Sequence, residues 1–248
     1  MAKKPAAEAY SAGAYWGPRR ESSEECAQRA VNLLNQLASC DPFLAHWYKP
    51  ATSAKDARLH PLMPPDVATL SEMFQRGVNR ERGGPVIEHL GFSAWFDNGG
   101  PDGDCAALRI TSGAYSEAVP NYCALTLPKR GPNAERMLMA SVLPQVVGGM
   151  ASSWDADWAL ATSWEHRETL PEGTKMGTFV GWVTYLSLRR GRVPPLPAPV
   201  RVEPVEGKGT LVVLTPERFT VANPEHLALA ELVRELLSRS GLLQPVMA

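Results

Sequence analysis

Between Leu90 and Leu127 the apolar residues stop recurring at helical spacing and fall at every second position, and glycine, proline and acidic residues cut the run into short lengths. Alternation is the mark of a strand with one buried face, so Leu90, Phe92, Ala94 and Phe96 predict a strand. The following Asn98-Gly99-Gly100-Pro101-Asp102-Gly103 is turn chemistry. A hairpin returning along Cys105 to Ser112 follows, with a third strand over Tyr122 to Leu127. Further strands are predicted at Trp158 to Trp164, Phe179 to Leu188, Val200 to Val205 and Thr210 to Leu214. The run Phe179 to Leu188 is apolar on both faces, as a central strand is. The proline-rich Val193 to Pro199 is a rigid connection into the last two strands. Strands that follow one another through short turns build a mainly antiparallel sheet, and the fold class expected is α+β.

Helices bracket this block. Ser22 and Glu25 form a capping box, and Ala27, Val31, Leu34, Leu37 and Ala38 continue at helical spacing to Cys40. Asp41-Pro42 starts a short helix through Tyr48, and Pro64-Pro65-Asp66 starts another that ends near Gly77. A helix over Ala134 to Val147 is expected to be kinked or cut short by Pro144. The last helix begins at Asn223-Pro224, carries Leu229, Leu232, Val233, Leu236 and Leu237 on one side, and stops at Gly241. Residues 1–14 are rich in alanine and show no apolar period, so they read as a flexible arm, dispensable for stability up to about Ser11. Residues 15–248 then form a single α+β domain.

Composition removes several classes of function. A formal net charge of −1 lacks the basic footprint that nucleic-acid binding requires. Cys26, Cys40, Cys105 and Cys123 form no C-x-x-C pair, which argues against a zinc or dithiol site and for buried reduced thiols. No apolar run reaches the length of a membrane span, and the first residues lack the apolar stretch of a signal peptide, so a cytoplasmic location is expected. There is no nucleophile elbow, phosphate loop, zinc-binding helix or dinucleotide fingerprint. His46, His60, His89, His166 and His226 fall in separate elements. The expectation is a protein that is not an enzyme and needs neither cofactor nor metal nor small-molecule substrate.

One enzymatic alternative remains. Pro101-Asp102 with Glu206-Gly207-Lys208 has the acids and the lysine by which metal-dependent nucleases hold a divalent ion. The short pattern sits partly in a sequence that explains itself as a turn. A structural subunit of a larger complex is the other alternative.

Two segments suit a docking surface instead. Asp97, Asp102 and Asp104 lie in a stretch without lysine or arginine, and Trp154, Asp155 and Asp157 set an aromatic beside acids. Aromatic anchors with neighbouring acids match a basic protein partner. A structural reading stands beside this one, in which Trp158 and Trp164 pack in the core and the aspartates only form turns.

Five short motifs in order carry a resemblance: Tyr15-Trp16-Gly17-Pro18-Arg19, the helix start Glu24-Glu25-Cys26-Ala27, Gly91-Phe92 leading to Asn98-Gly99-Gly100, Trp154-Asp155-x-Asp157-Trp158, and Gly181-Trp182-x-Thr184-Tyr185-Leu186-Ser187. Together they resemble the immunity protein 52 family of bacterial polymorphic toxin systems. The resemblance implies a protein that binds and neutralises a cognate secreted toxin, often a nuclease of the restriction-endonuclease fold, and it transfers no catalytic residue. Trp16, Gly17 and Trp182 are equally suited to the core.

Overall fold

The structure, a computed structural model, describes residues 7–50, 56, 59–82, 84–172 and 177–246. Eight strands form one sheet: β1 (Tyr10–Trp16), β2 (Phe92–Asp97), β3 (Ala107–Ser112), β4 (Asn121–Thr126), β5 (Trp158–Ser163), β6 (Val183–Ser187), β7 (Arg201–Val205) and β8 (Gly209–Val213). Their spatial order is β2-β3-β4-β1-β5-β6-β8-β7, and every neighbouring pair is antiparallel. The predicted strands are therefore present, although β6 starts at Val183 rather than Phe179. It lies between β5 and β8 with all five residues buried, as its two apolar faces require.

The boundary of the expected arm is wrong, because Tyr10 to Ala14 belong to β1, which sits in the middle of the sheet between β4 and β5. Ser11, Ala12, Gly13 and Ala14 are small and poor in strand propensity, so no alternation stands out. In context the small residues are what the position needs, since helices press onto one face and Ala12 and Ala14 are buried beneath them. The chain just before the strand is also tied down. Ala9 N donates to Glu165 Oε2 at 2.9 Å, Val221 N donates to Glu8 Oε1 at 3.0 Å, and the Tyr10 hydroxyl donates to the Phe219 carbonyl. Residues 1–6 of the expected arm lie outside the described residues.

The helices are α1 (Ser23–Cys40), α2 (Val67–Arg76), α3 (Pro132–Met137), α4 (Leu143–Trp154), α5 (Trp164–Thr169) and α6 (Pro224–Arg239). Ser22 and Glu25 close the capping box on α1, Asp66 caps α2 through Thr69 N at 2.8 Å, and Asn223 caps α6. The segment read as one interrupted helix is two, and Pro144 begins α4 instead of ending its predecessor. Proline is at home in a first turn, where its missing N–H would have had no partner. The helix expected from Asp41 to Tyr48 is a single 3-10 turn over Pro42–Ala45. On one face of the sheet α4 contacts β1, β5 and β6, while α1 packs on both α4 and α2. Leu33, Leu34, Leu37, Val146, Val147 and Met150 are fully buried in that layer, each such aliphatic contributing roughly 1.5–3 kcal/mol.

Elsewhere α5 and α6 meet around Phe219, whose ring lies 4.8 Å from His166 and 5.3 Å from His226. Over β2, β3, β4 and β1 the face turned away from α4 keeps contact with solvent, at Trp95, Arg109, Tyr122, Ser11 and Tyr15 among others, whereas β5 is buried on both faces. The rows of that face follow from the register: Trp95, Arg109, Ala124, Gly13 and Leu160 in one, and Ser93, Thr111, Tyr122, Tyr15 and Trp158 in the next.

Candidate partner-binding surface

The six residues expected to form a docking surface do not share a face. Asp97 ends β2 and Ala107 begins β3, which places the Asp97–Asp104 turn at the end of the sheet where Tyr10 lies. Asp155 and Asp157 precede Trp158 at the opposite end, beside Trp16. A strand of about six residues, roughly 20 Å, separates the two groups.

Their local bonds explain most of them without a partner. Asp97 Oδ1 accepts from Gly99 N at 2.6 Å, and Asp104 Oδ2 accepts from Asn133 Nδ2 at 3.0 Å, so both carboxylates fasten the turn. Trp154 is fully buried and cannot serve as a surface anchor; it ends α4 and its ring faces Trp16 inside the core. Asp155 adopts a left-handed conformation, φ 47°, that terminates α4, and its carboxylate receives Arg29 Nη1 at 2.9 Å together with Lys208 Nζ. Partial burial works against that charge, but the hydrogen bonds from Lys208 and Arg29 outweigh it and hold the carboxyl below its usual range. Asp157 Oδ2 accepts from Gly17 N at 3.2 Å and its Oδ1 from Arg189 Nε at 3.0 Å. Asp102 is the exception of the six, fully in solvent with Arg130 3.5 Å away.

The nuclease-like set is not assembled either. Lys208 lies in the β7–β8 turn and pairs with Asp155, whereas Asp102 lies between β2 and β3 at the other end of the strands and near the other edge. About six interstrand steps, roughly 30 Å, lie between them. Among the described residues no group of three His, Cys, Asp or Glu side chains is arranged to hold a metal.

What the structure assembles is a surface the sequence reading missed. A pocket of about 540 Å³ opens on the uncovered face of the sheet, floored by Gly13, Tyr15, Trp158 and Leu160 and walled by Trp164 and Arg167 of α5, Phe179 and Val246. The Tyr15 and Trp158 rings stack with centroids 4.8 Å apart, and Tyr122 lies 6.4 Å beyond Tyr15. Gly13 makes room for this: a Cβ there would fall 2.7 Å from the Tyr15 hydroxyl, so only glycine lets the tyrosine lie back along the sheet. Burial drives the Tyr15 phenol above its ordinary pKa, with Arg167 pulling the other way. Trp95 and Trp164 are more than half exposed, and the guanidinium of Arg109 sits 5.8 Å over Tyr122 and that of Arg167 5.5 Å over Trp164. The Trp158-x-Leu160-x-Thr162 alternation was readable as a strand, but with β1 unrecognised nothing paired it with Tyr15 and Tyr122.

A solved structure described as Pseudomonas aeruginosa T6SS protein PA0821 shares this fold, with a TM-score of 0.55 over 95% of this chain and 73% of that one. Identity is 11%, so the likeness is one of fold. No curated protein matches the sequence. The chain belongs to the Immunity protein 52 family, which it matches over residues 8–246. That span takes in the first strand and the segment beyond α6, past the motifs between Tyr15 and Ser187 that carried the resemblance. No helix among the described residues is long and apolar enough to cross a membrane.

Proposed function

We propose that this family member binds a cognate secreted toxin and neutralises it by covering the toxin's active-site cleft, without chemistry of its own, and that the uncovered face of the sheet is the docking surface. The observation that supports the reading is the set of solvent-accessible aromatics on that face, Trp95, Tyr122, Tyr15 and Trp164, ordered by a rigid sheet and by α5. Large aromatic side chains already held in place give up little conformational freedom on binding, and such residues carry most of the energy of protein interfaces. The toxin in this proposal is a nuclease of the restriction-endonuclease fold, exported by a type VI system, as the resemblance and the description of the structural relative suggest. Asp102, at the rim, would steer toward a basic nucleic-acid-binding cleft.

The test is to co-express the chain with the toxin encoded by the neighbouring gene, purify the complex, and assay toxin activity with and without it. A stoichiometric complex that suppresses activity is expected. Trp95→Ala combined with Tyr122→Ala should weaken it by at least about tenfold while the melting temperature holds. Tight binding by the folded double variant would move the docking surface elsewhere, and full toxin activity in the presence of the chain would end the proposal.

A further inference from the structure

Besides the two rows given above, the face turned away from α4 carries a third, of Asp97, Ala107, Thr126, Ser11 and Thr162. In these three rows, from β2 across to β5, Arg109 is the only cation and Asp97 the only acid. Asp97 is engaged by the backbone of its own turn, where Gly99 N donates to its Oδ1 at 2.6 Å. Arg109 is exposed and forms no ion pair among the described residues; what it touches is the Tyr122 ring, whose centroid lies 5.8 Å from its guanidinium. On the other side Arg109 pairs across the strands with Trp95, which is 59% exposed and belongs to β2, the edge of the sheet. The guanidinium thus stands one strand in from the edge, between two aromatic side chains and without a counter-charge.

We infer that the partner protein presents a carboxylate to Arg109, in the gap between Trp95 and Tyr122. The inference rests on the proposal that the uncovered face docks a protein, and it adds the sign of the charge the partner sets there. A protein laid over Trp95 and Tyr122 covers the arginine between them, and a cation that loses its hydration under a neutral surface makes the contact unfavourable. An acid opposite removes that penalty, because the planar fork of a guanidinium binds a carboxylate through two parallel hydrogen bonds. The Tyr122 ring beneath it already restricts the side chain, so less freedom is lost on docking. Tryptophan, tyrosine and arginine together are also the composition of interface hot spots. A single nucleic-acid strand suits aromatic rings beside an arginine too, but it brings one phosphate per nucleotide, and these rows offer one cation.

The experiment measures binding of the neighbouring-gene toxin to the full chain and to variants at this exposed position, whose melting temperatures should match the parent. Arg109→Gln should speed dissociation at least about tenfold, and Arg109→Glu should weaken the complex about a hundredfold or more. Arg109→Lys should fall between the parent and Arg109→Gln, since an ammonium keeps the charge and loses the fork. Arg76→Glu, on α2 at the helical side, alters net charge as much as Arg109→Glu does and should change binding by no more than about twofold. Neutralising the toxin's exposed acids one at a time should reveal one whose loss weakens the parent complex yet adds nothing in Arg109→Gln, the coupling expected of a direct pair. Parent-like binding by Arg109→Glu, or the absence of any coupled acid, overturns the inference. So does binding of single-stranded oligothymidylate that disappears in Arg109→Gln, which would assign the site to nucleic acid. If Trp95→Ala with Tyr122→Ala weakens the complex while Arg109→Glu does not, the carboxylate alone is refuted, whereas a chain that captures no toxin refutes the broader proposal and the inference with it.

Discussion

Trp16 at the end of β1 and Trp154 at the end of α4 stack almost face to face, with centroids 4.8 Å apart and ring planes within 10°. Both are completely buried, so this contact pins the helical layer to the central strand. Trp154→Ala should cost about 3–5 kcal/mol through lost transfer energy and a cavity, read as a large fall in the chemical-denaturation midpoint. Trp16→Phe should cost much less, because it keeps an aromatic ring and removes an indole N–H that finds no hydrogen-bond partner among the described residues. Equal losses from the two would show that the stack contributes little.

Truncation should be damaging earlier in the chain than the sequence suggested. Removing residues through Ser11 deletes the buried Tyr10 ring, its bond to Phe219, and the pairing of Ser11 with Thr126 and Thr162. Thermal melting of the shortened chain should show either no cooperative transition or one many degrees lower. A melting temperature close to that of the full chain would mean the middle of the sheet tolerates a shortened strand.

Asp155 offers a pH-dependent test. Its folded carboxyl lies below the ordinary range, so its pairing with Lys208 and Arg29 contributes stability above pH of about 4, the unfolded value, and that contribution is lost as pH falls through the lower folded value. Asp155→Asn retains the left-handed backbone, which asparagine tolerates well, while removing the charge. Urea titrations from pH 2 to 7 should give the variant a shallower acid limb than the parent, with the difference largest near neutrality. Parallel curves over that range would count against the ion pairs as the cause.

His166 titrates with the opposite geometry. It is buried against Phe219, and desolvation lowers its pKa to about 4 despite the nearby Glu8. The unfolded chain, with a value near 6.5, takes up the proton first, so stability is complete above about pH 6.5 and declines as pH falls toward 4, by on the order of 3 kcal/mol at most. His166→Gln should flatten that window in a stability–pH profile. A parent profile already flat between pH 6.5 and 4 would contradict the buried neutral imidazole.

Reversing one rim charge separates steering from contact. Asp102→Lys leaves the turn bonds of Asp97 and Asp104 untouched, so the fold should be unchanged. Association with the neighbouring-gene toxin should slow severalfold at low salt, and the difference should fade as salt rises, with dissociation unaffected. An association rate insensitive to the change at low ionic strength would place the toxin away from this rim.

The sequence disclosed the elements whose signals are local. The capping box at Ser22, the Asn223-Pro224 start and the turn after Asp97 specify their own conformations, and their elements stand where expected. Pro144 misled because the same residue stops one helix or starts another according to what precedes it. Trp154 and Asp155 misled for a different reason: side chains suited to an interface are also suited to a core stack and a helix stop, and only packing decides between them. The pocket was out of reach because its floor joins β1 to β5 across more than half of the chain, and the middle of β1, Ser11 to Ala14, is made of small residues that show no alternation.

That plainness of β1 bears on how the protein is made. Its Tyr10 finds Phe219 209 residues further along, and its strand partners too are synthesised long after it. At roughly 5–20 residues per second, a ribosome leaves this segment unpaired for on the order of ten seconds or more. A strand of valine and isoleucine waiting that long would invite self-association with other nascent chains. Ser11-Ala12-Gly13-Ala14 offers little for another strand to grip, so the centre of the sheet stays quiet until its neighbours arrive.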